Sequence, residues 1–251
     1  DYRDLHTDIS GLATPPTSAN TKFAKVSYTS TDNTGNTISL SGLMIYPPDK
    51  IDAGTPLVSF NHGTELEKKY APSQFDPGHS SLSKFAEVIF AWGMSAFNNW
   101  IVIMPDYQGM GDDVNEVHPY CVKDRLAVAT ADMVEAAKNT LLGQIVPGWS
   151  GNTYIIGYSE GGFVTMAALQ ELENRNYSLN GAICMEGPYD LSGTMLPMML
   201  RDTAFPVPYF LPMLLVGYQA MYPDVFIYNE MLKSPYNTDI PEYTDGFHTT
   251  D

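Results

Sequence analysis

The sequence is poor in basic residues, in cysteine and in long apolar runs, and each shortage excludes something. Only 13 Lys and Arg stand against 29 Asp and Glu, a net charge of −16. A surface of that sign repels phosphate backbones, so nucleic acid is not expected as a partner. An ordinary soluble acidic surface and that of an exported or salt-tolerant protein both fit the same balance. The two cysteines, Cys121 and Cys184, provide neither a metal-ligand spacing nor a disulfide framework. Cys184 sits in an apolar strand-like run and reads as a buried thiol, with a Cys121–Cys184 bridge as the open alternative. There is no run of about 18 apolar residues that would span a bilayer as a helix. The opening Asp1-Tyr2-Arg3-Asp4-Leu5-His6 lacks the basic-then-apolar order of a signal peptide, so an exported form would already have lost its signal. No internal repeat or low-complexity tract interrupts the chain.

What is present is strand–helix alternation over 251 residues, 44% of them hydrophobic, a size for one α/β domain or one domain with an insertion. Residues 22–28 alternate like a half-buried strand, Thr31-Asp32-Asn33-Thr34-Gly35-Asn36 reads as a turn, and Thr37 to Tyr46 alternates again before Pro47-Pro48. This predicts an antiparallel hairpin. Short, wholly apolar strands follow at 56–60, 100–104, 153–156 and 181–185. Between them, Leu82, Phe85, Ala86, Ile89, Phe90 and Gly93 mark one helix face, and the spacing of Val122, Leu126, Ala129, Met133, Ala136 and Thr140 predicts a helix over about 121–142. Apolar strands separated by helices imply a mostly parallel sheet covered on both faces. Reactive groups in such sheets gather at the carboxyl ends of the strands.

One pentapeptide lies at such an end: Gly157-Tyr158-Ser159-Glu160-Gly161, between an apolar strand and a helix rich in small residues. Gly-x-Ser-x-Gly in that context is the nucleophile-elbow pattern. Glycines are needed because the serine occupies a strained turn whose flanks approach neighbouring backbone. The turn lifts the serine hydroxyl above the sheet and aims the Glu160 N–H at a developing acyl oxyanion.

Together with Asn61-His62-Gly63-Thr64, Pro105-Asp106-Tyr107-Gln108-Gly109-Met110-Gly111-Asp112 and His118-Pro119-Tyr120, each in order, the elbow resembles the α/β-hydrolase superfamily. Within it the set is similar to lipases and esterases of the secretory-lipase type, over residues from about 37 to 190. The resemblance implies a secreted, periplasmic or cell-surface enzyme with Ser159 as nucleophile, no cofactor and no metal. It also implies that the His-Gly loop supplies a second oxyanion donor, for which Thr64 N–H is the candidate beside Glu160 N–H. His62 and His118 then shape loops. Asp106, Asp112, Asp113 and Glu116 read either as a structural loop beside the site or as a calcium cluster, although their spacing matches no EF-hand.

The chain departs from the family pattern after Asp190. Residues 191–251 are dense in Met, Pro, Leu, Phe and Tyr and read as an apolar cap over an acyl pocket, with ordinary helical core as the bland alternative; residues 1–190 then form the hydrolase core. A serine needs a histidine oriented by a carboxylate, and the strands that would carry them are not visible. Val225-Phe226-Ile227-Tyr228 offers one short strand, with His248 as base and Asp190 as acid the weak candidates. The leading expectation is a truncated chain whose companion C-terminal piece carries both groups. The functional expectation is hydrolysis of carboxylic, acyl or lipid-like esters through an acyl-enzyme. The alternatives are a serine peptidase or aminopeptidase on the same fold, and a non-catalytic binding protein.

Overall fold

The computed structural model describes residues 20–142, 146 and 148–248. The expected hairpin forms from β1 (Lys22–Thr31) and β2 (Thr37–Tyr46), paired antiparallel with Thr31 opposite Thr37. Its turn is built by Asp32, whose Oδ1 accepts from the Thr34 and Asn36 N–H groups at 2.8 and 2.9 Å.

The remaining strands are β3 (Leu57–Asn61), β4 (Ile101–Pro105), β5 (Thr153–Tyr158) and β6 (Gly181–Met185). The sheet order is β1-β2-β4-β3-β5-β6. β2 and β4 are antiparallel, whereas β4, β3, β5 and β6 run parallel to one another. Parallel neighbours need crossovers, and three helices supply them: α1 (Ala86–Asn98), α2 (Lys123–Ala136) and α3 (Glu160–Asn174). The helix expected over about 121–142 is α2 and a π-helical turn over Ala137–Leu142 that continues it.

Alternation along the strands divides the core into two layers. Leu57, Ile101, Ile103 and Ile155 point to one face, where Met133 and Val134 of α2 and Ala168 and Leu172 of α3 cover them. Val58, Phe60, Val102 and Met104 point to the other, under Val88, Ile89 and Ala91 of α1. Every residue of β3 and β4 is buried, as the unbroken apolar runs required.

After β6 the regular structure among the described residues is helical: a π-helical turn over Leu191–Met195, then α4 (Leu196–Met199), α5 (Phe210–Met221), α6 (Tyr228–Met231) and α7 (Tyr236–Tyr243). The strand expected over Val225–Tyr228 does not form. Val225 and Phe226 donate their N–H groups to Tyr222 O at 3.0 and 2.9 Å, closing a turn at the end of α5. Phe226 packs on Tyr218 instead of in a sheet. Among the described residues no strand pairs with the outer edge of β6, and Ile183 on that strand is 57% exposed. No helix among them is long and apolar enough to cross a membrane.

Candidate active site

Ser159 joins β5 to α3 with φ 57° and ψ −124°, a conformation that L-residues rarely adopt. Close approach of backbone explains the glycines around it. A Cβ on Gly157 would lie 2.1 Å from Gly161 O, one on Gly161 1.9 Å from Asn61 O, and one on Gly162 2.2 Å from Met185 O. The elbow therefore packs directly on the ends of β3 and β6. Ser159 N–H donates to Met185 O at 3.0 Å. The Thr165 hydroxyl donates to Gly161 O at 2.7 Å and accepts from Asn61 Nδ2 at 2.9 Å, tying the first turn of α3 to β3.

The serine opens on a cavity of about 470 Å³. Its walls are mostly apolar and come from distant stretches of chain: Tyr120, Tyr189, Met195, Met199, Phe210 and Leu214. α5 is seated on the loop that carries Tyr120. The Tyr120 and Phe210 rings stack at 6.1 Å, and Tyr218 OH donates to Cys121 O at 3.2 Å. Cys121 and Cys184 are both free thiols, so the bridge left open by the sequence is absent.

Two backbone amides are the candidate oxyanion donors. Glu160 N–H belongs to the first turn of α3, where amides have no partner within the helix. On the other side, the His62-Gly63-Thr64 loop leaves the end of β3. A Cβ on Gly63 would lie 3.7 Å from Ser159 Cβ, so this loop lies against the elbow. The Gly63 N–H is taken by Glu87 Oε2 at 2.9 Å. Among the described contacts, Thr64 N–H and Glu160 N–H have no acceptor.

Behind these donors lies a buried polar layer. The Glu160 side chain is 1% exposed and turns inward, with Oε1 2.7 Å from His118 Nε2. His118 Nδ1 lies 3.0 Å from Gln108 O, a pure acceptor, so that nitrogen carries a proton. Burial pulls the His118 pKa down, but the Glu160 carboxylate and the Gln108 carbonyl outweigh it and raise the pKa above the ordinary histidine value. His62 is different. Its ring stacks on Tyr107 at 4.2 Å, its Nδ1 lies 2.8 Å from Gly63 O, and Tyr107 OH donates to His62 O at 2.9 Å. Burial keeps the His62 pKa below the ordinary value despite nearby Glu160. Both imidazoles thus hold loops in place. Burial also pushes the Glu65 and Glu87 carboxyls up to about 7.

No protein-family model and no curated protein matches this sequence. Solved structures do match it. A provisionally assigned hydrolase of Legionella pneumophila superposes with a TM-score of 0.79 at 27% identity, over 98% of this chain and 65% of that one. The rice cell wall degrading esterase LipA of Xanthomonas oryzae gives 0.74 at 23% identity, over 98% and 64%. Candida antarctica lipase A gives 0.68 at 17% identity, over 96% and 53%. The chain has the α/β-hydrolase fold. It spans about two thirds or less of the length of these hydrolase, esterase and lipase chains.

In this α/β-hydrolase fold the weaker sequence candidates are engaged away from the serine hydroxyl. Asp190 accepts from Gly193 N–H at 2.9 Å and from the Thr194 hydroxyl at 2.8 Å, capping the turn that follows it. His248 pairs with Asp245 at 3.1 Å and lies 3.8 Å from Glu242, in an exposed cluster. Neither contacts Ser159, and among the described residues no histidine or carboxylate side chain bonds its hydroxyl. The acidic stretch 106–116 is already engaged elsewhere. Asp106 is fully buried and accepts from the Ser41 hydroxyl at 2.6 Å and the Ser73 N–H at 2.8 Å. Asp113 accepts from Gly109 N–H at 3.0 Å, and Asp112 pairs with Lys25. No cluster of His, Cys, Asp and Glu suited to a metal occurs among the described residues.

Sequence reasoning missed Glu65 and Glu87. Nothing local signals them, since Glu87 is one glutamate in the first turn of a helix and its partner lies 24 residues earlier.

Proposed function

We propose that this chain is the nucleophile-bearing part of a serine carboxylic-ester hydrolase. The carrying observation is Ser159 at φ 57° at the head of α3, open to a mostly apolar cavity of about 470 Å³, with the Gly63 loop lying against the elbow. Ser159 Oγ attacks the ester carbonyl while a histidine takes its proton. The tetrahedral oxyanion is held by Thr64 N–H and Glu160 N–H. Collapse breaks the carbonyl–alkoxy bond, the alcohol leaves with the proton, and water then releases the acid from the acyl-enzyme. An apolar cavity suits an acyl chain better than a charged peptide, and the esterase and lipase names among the structural neighbours support the same reading.

The histidine and its orienting acid come, in this proposal, from further chain that pairs on the outer edge of β6. Exposed Ile183 and Met185 on that strand favour such cover. Residues 191–248 serve as the cap over the acyl cavity. The test is labelling of the full-length protein with a fluorophosphonate, followed by peptide mapping. The adduct is expected on Ser159 and lost in S159A; labelling at another residue, or none, overturns the assignment.

A further inference from the structure

The loop after β3 can offer one of several amides to an oxyanion, and the structure commits one of them elsewhere. Gly63 N–H donates to Glu87 Oε2 at 2.9 Å, while the next amide, Thr64 N–H, has no acceptor among the described contacts. Gly63 sits between the two groups that matter. A Cβ there would be 3.4 Å from Glu87 Oε1, 3.4 Å from Tyr158 O and 3.7 Å from Ser159 Cβ. Its peptide plane is therefore wedged between the elbow and the first turn of α1. A loop peptide free to rotate would let the Gly63 and Thr64 amides compete for the same oxyanion. Preorganised donors are effective because they need no reorientation as charge develops.

We propose that Glu87 is a positioning residue: by accepting the Gly63 N–H it fixes the oxyanion loop so that Thr64 N–H, and not its neighbour, faces the carbonyl bound at Ser159. The proposal rests on the ester-hydrolase reading of Ser159. Glu87 is suited to the task by its place on α1, which packs rigidly on β2 and β4. A carboxylate in a first helical turn is also stabilised by the helix dipole.

The groups around Glu87 make its charge sensitive to pH. Glu65 from the loop after β3 and Glu160 from α3 face it with like charge, Tyr107 stands near, and Lys84 acts on Glu65. Burial, reinforced by those two carboxylates and opposed by the Gly63 N–H, places its titration at about 7. An ionised acceptor makes a stronger bond than a protonated one, so the loop is held most firmly above that pH.

Two measurements on the full-length protein test this. His62-Gly63 is the one His-Gly step in these 251 residues, so carbonyl-¹³C-histidine with ¹⁵N-glycine labelling selects the Gly63 amide among them, and the signal lost in G63A assigns it. Its shift is expected to titrate near pH 7 in wild type and to stay flat in E87Q. A flat wild-type curve, or an unchanged curve in E87Q, overturns the hydrogen bond. The second measurement is the rate of fluorophosphonate labelling of Ser159 together with kcat and KM on a p-nitrophenyl ester. E87A is expected to lower kcat and labelling by about 10- to 100-fold at nearly constant KM. E87Q, which keeps an acceptor oxygen, is expected to stay within about threefold of wild type, and its acidic limb, set mainly by the histidine that takes the Ser159 proton, to be shallower by about that factor. Equal rates in wild type and E87A overturn the positioning role while leaving Ser159 assigned. If E87A does not fold, an E87Q profile identical to wild type overturns it instead. A wild type unlabelled at Ser159 overturns the ester-hydrolase reading and this proposal with it.

Discussion

Glu160, the residue after Ser159, turns its carboxylate into the protein and places Oε1 2.7 Å from Nε2 of His118. The pair couples the elbow to the loop that carries Tyr120, across 42 residues of sequence. A charge buried in this way is tolerated because its partner is present, and removing one side leaves the other uncompensated.

His118→Ala is therefore expected to destabilise the fold by about 3–5 kcal/mol. The double variant H118A/E160Q removes the stranded charge and is expected to recover part of that loss. Urea denaturation of the four species closes the cycle. A loss under about 1 kcal/mol for H118A would show that the pair carries little of the elbow's stability.

Stability should fall as pH rises through neutrality. Glu65 and Glu87 have folded pKa values of about 7 against an ordinary value near 4.5, chiefly because burial penalises their charged forms. Between those values the native state binds more protons than the unfolded one, so their contribution is complete below about 4.5 and is lost as pH rises through about 7. The raised pKa of His118 acts in the same sense, its contribution fading only above the ordinary histidine range. Melting temperatures recorded from pH 5 to 8 should decline, and E65Q/E87Q should flatten the decline. A profile that rises over this interval would contradict the burial of these carboxyls.

Gly161→Ala tests the packing of the elbow. The added Cβ would sit 1.9 Å from Asn61 O, a backbone atom held in β3. Overpacking of this kind costs about 1–3 kcal/mol or more, and Ser159 should lose its labelling as well. Gly54→Ala serves as the control, because its Cβ would meet only Asp52 Oδ1, at 3.4 Å. Similar melting temperatures for both variants would contradict the close approach.

Chain-length selectivity tests the cavity. Leu214→Trp narrows the space in front of Ser159, and Leu214→Ala widens it. Over p-nitrophenyl esters of increasing acyl length, the first should shift the kcat/KM optimum to shorter chains and the second to longer ones. A methylene gained or lost in an apolar pocket is worth about 10-fold or more in kcat/KM. An unmoved optimum in both variants would place the acyl chain elsewhere.

The sequence alone determined the element types and the elbow. Period-two alternation at 22–46, unbroken apolar strands and the glycines around Ser159 are local patterns, legible because backbone geometry fixes which side chains share a face. The same logic misread Val225–Tyr228, since a short apolar run has one composition whether it joins a sheet or closes a turn. Only the tertiary structure decided which groups meet: β4 between β2 and β3, Glu87 on Gly63, His118 on Glu160, and Phe210 over Tyr120. Those pairings join distant segments through crossovers and buried contacts. No local period encodes them, because what selects them is the burial and close packing of the whole domain.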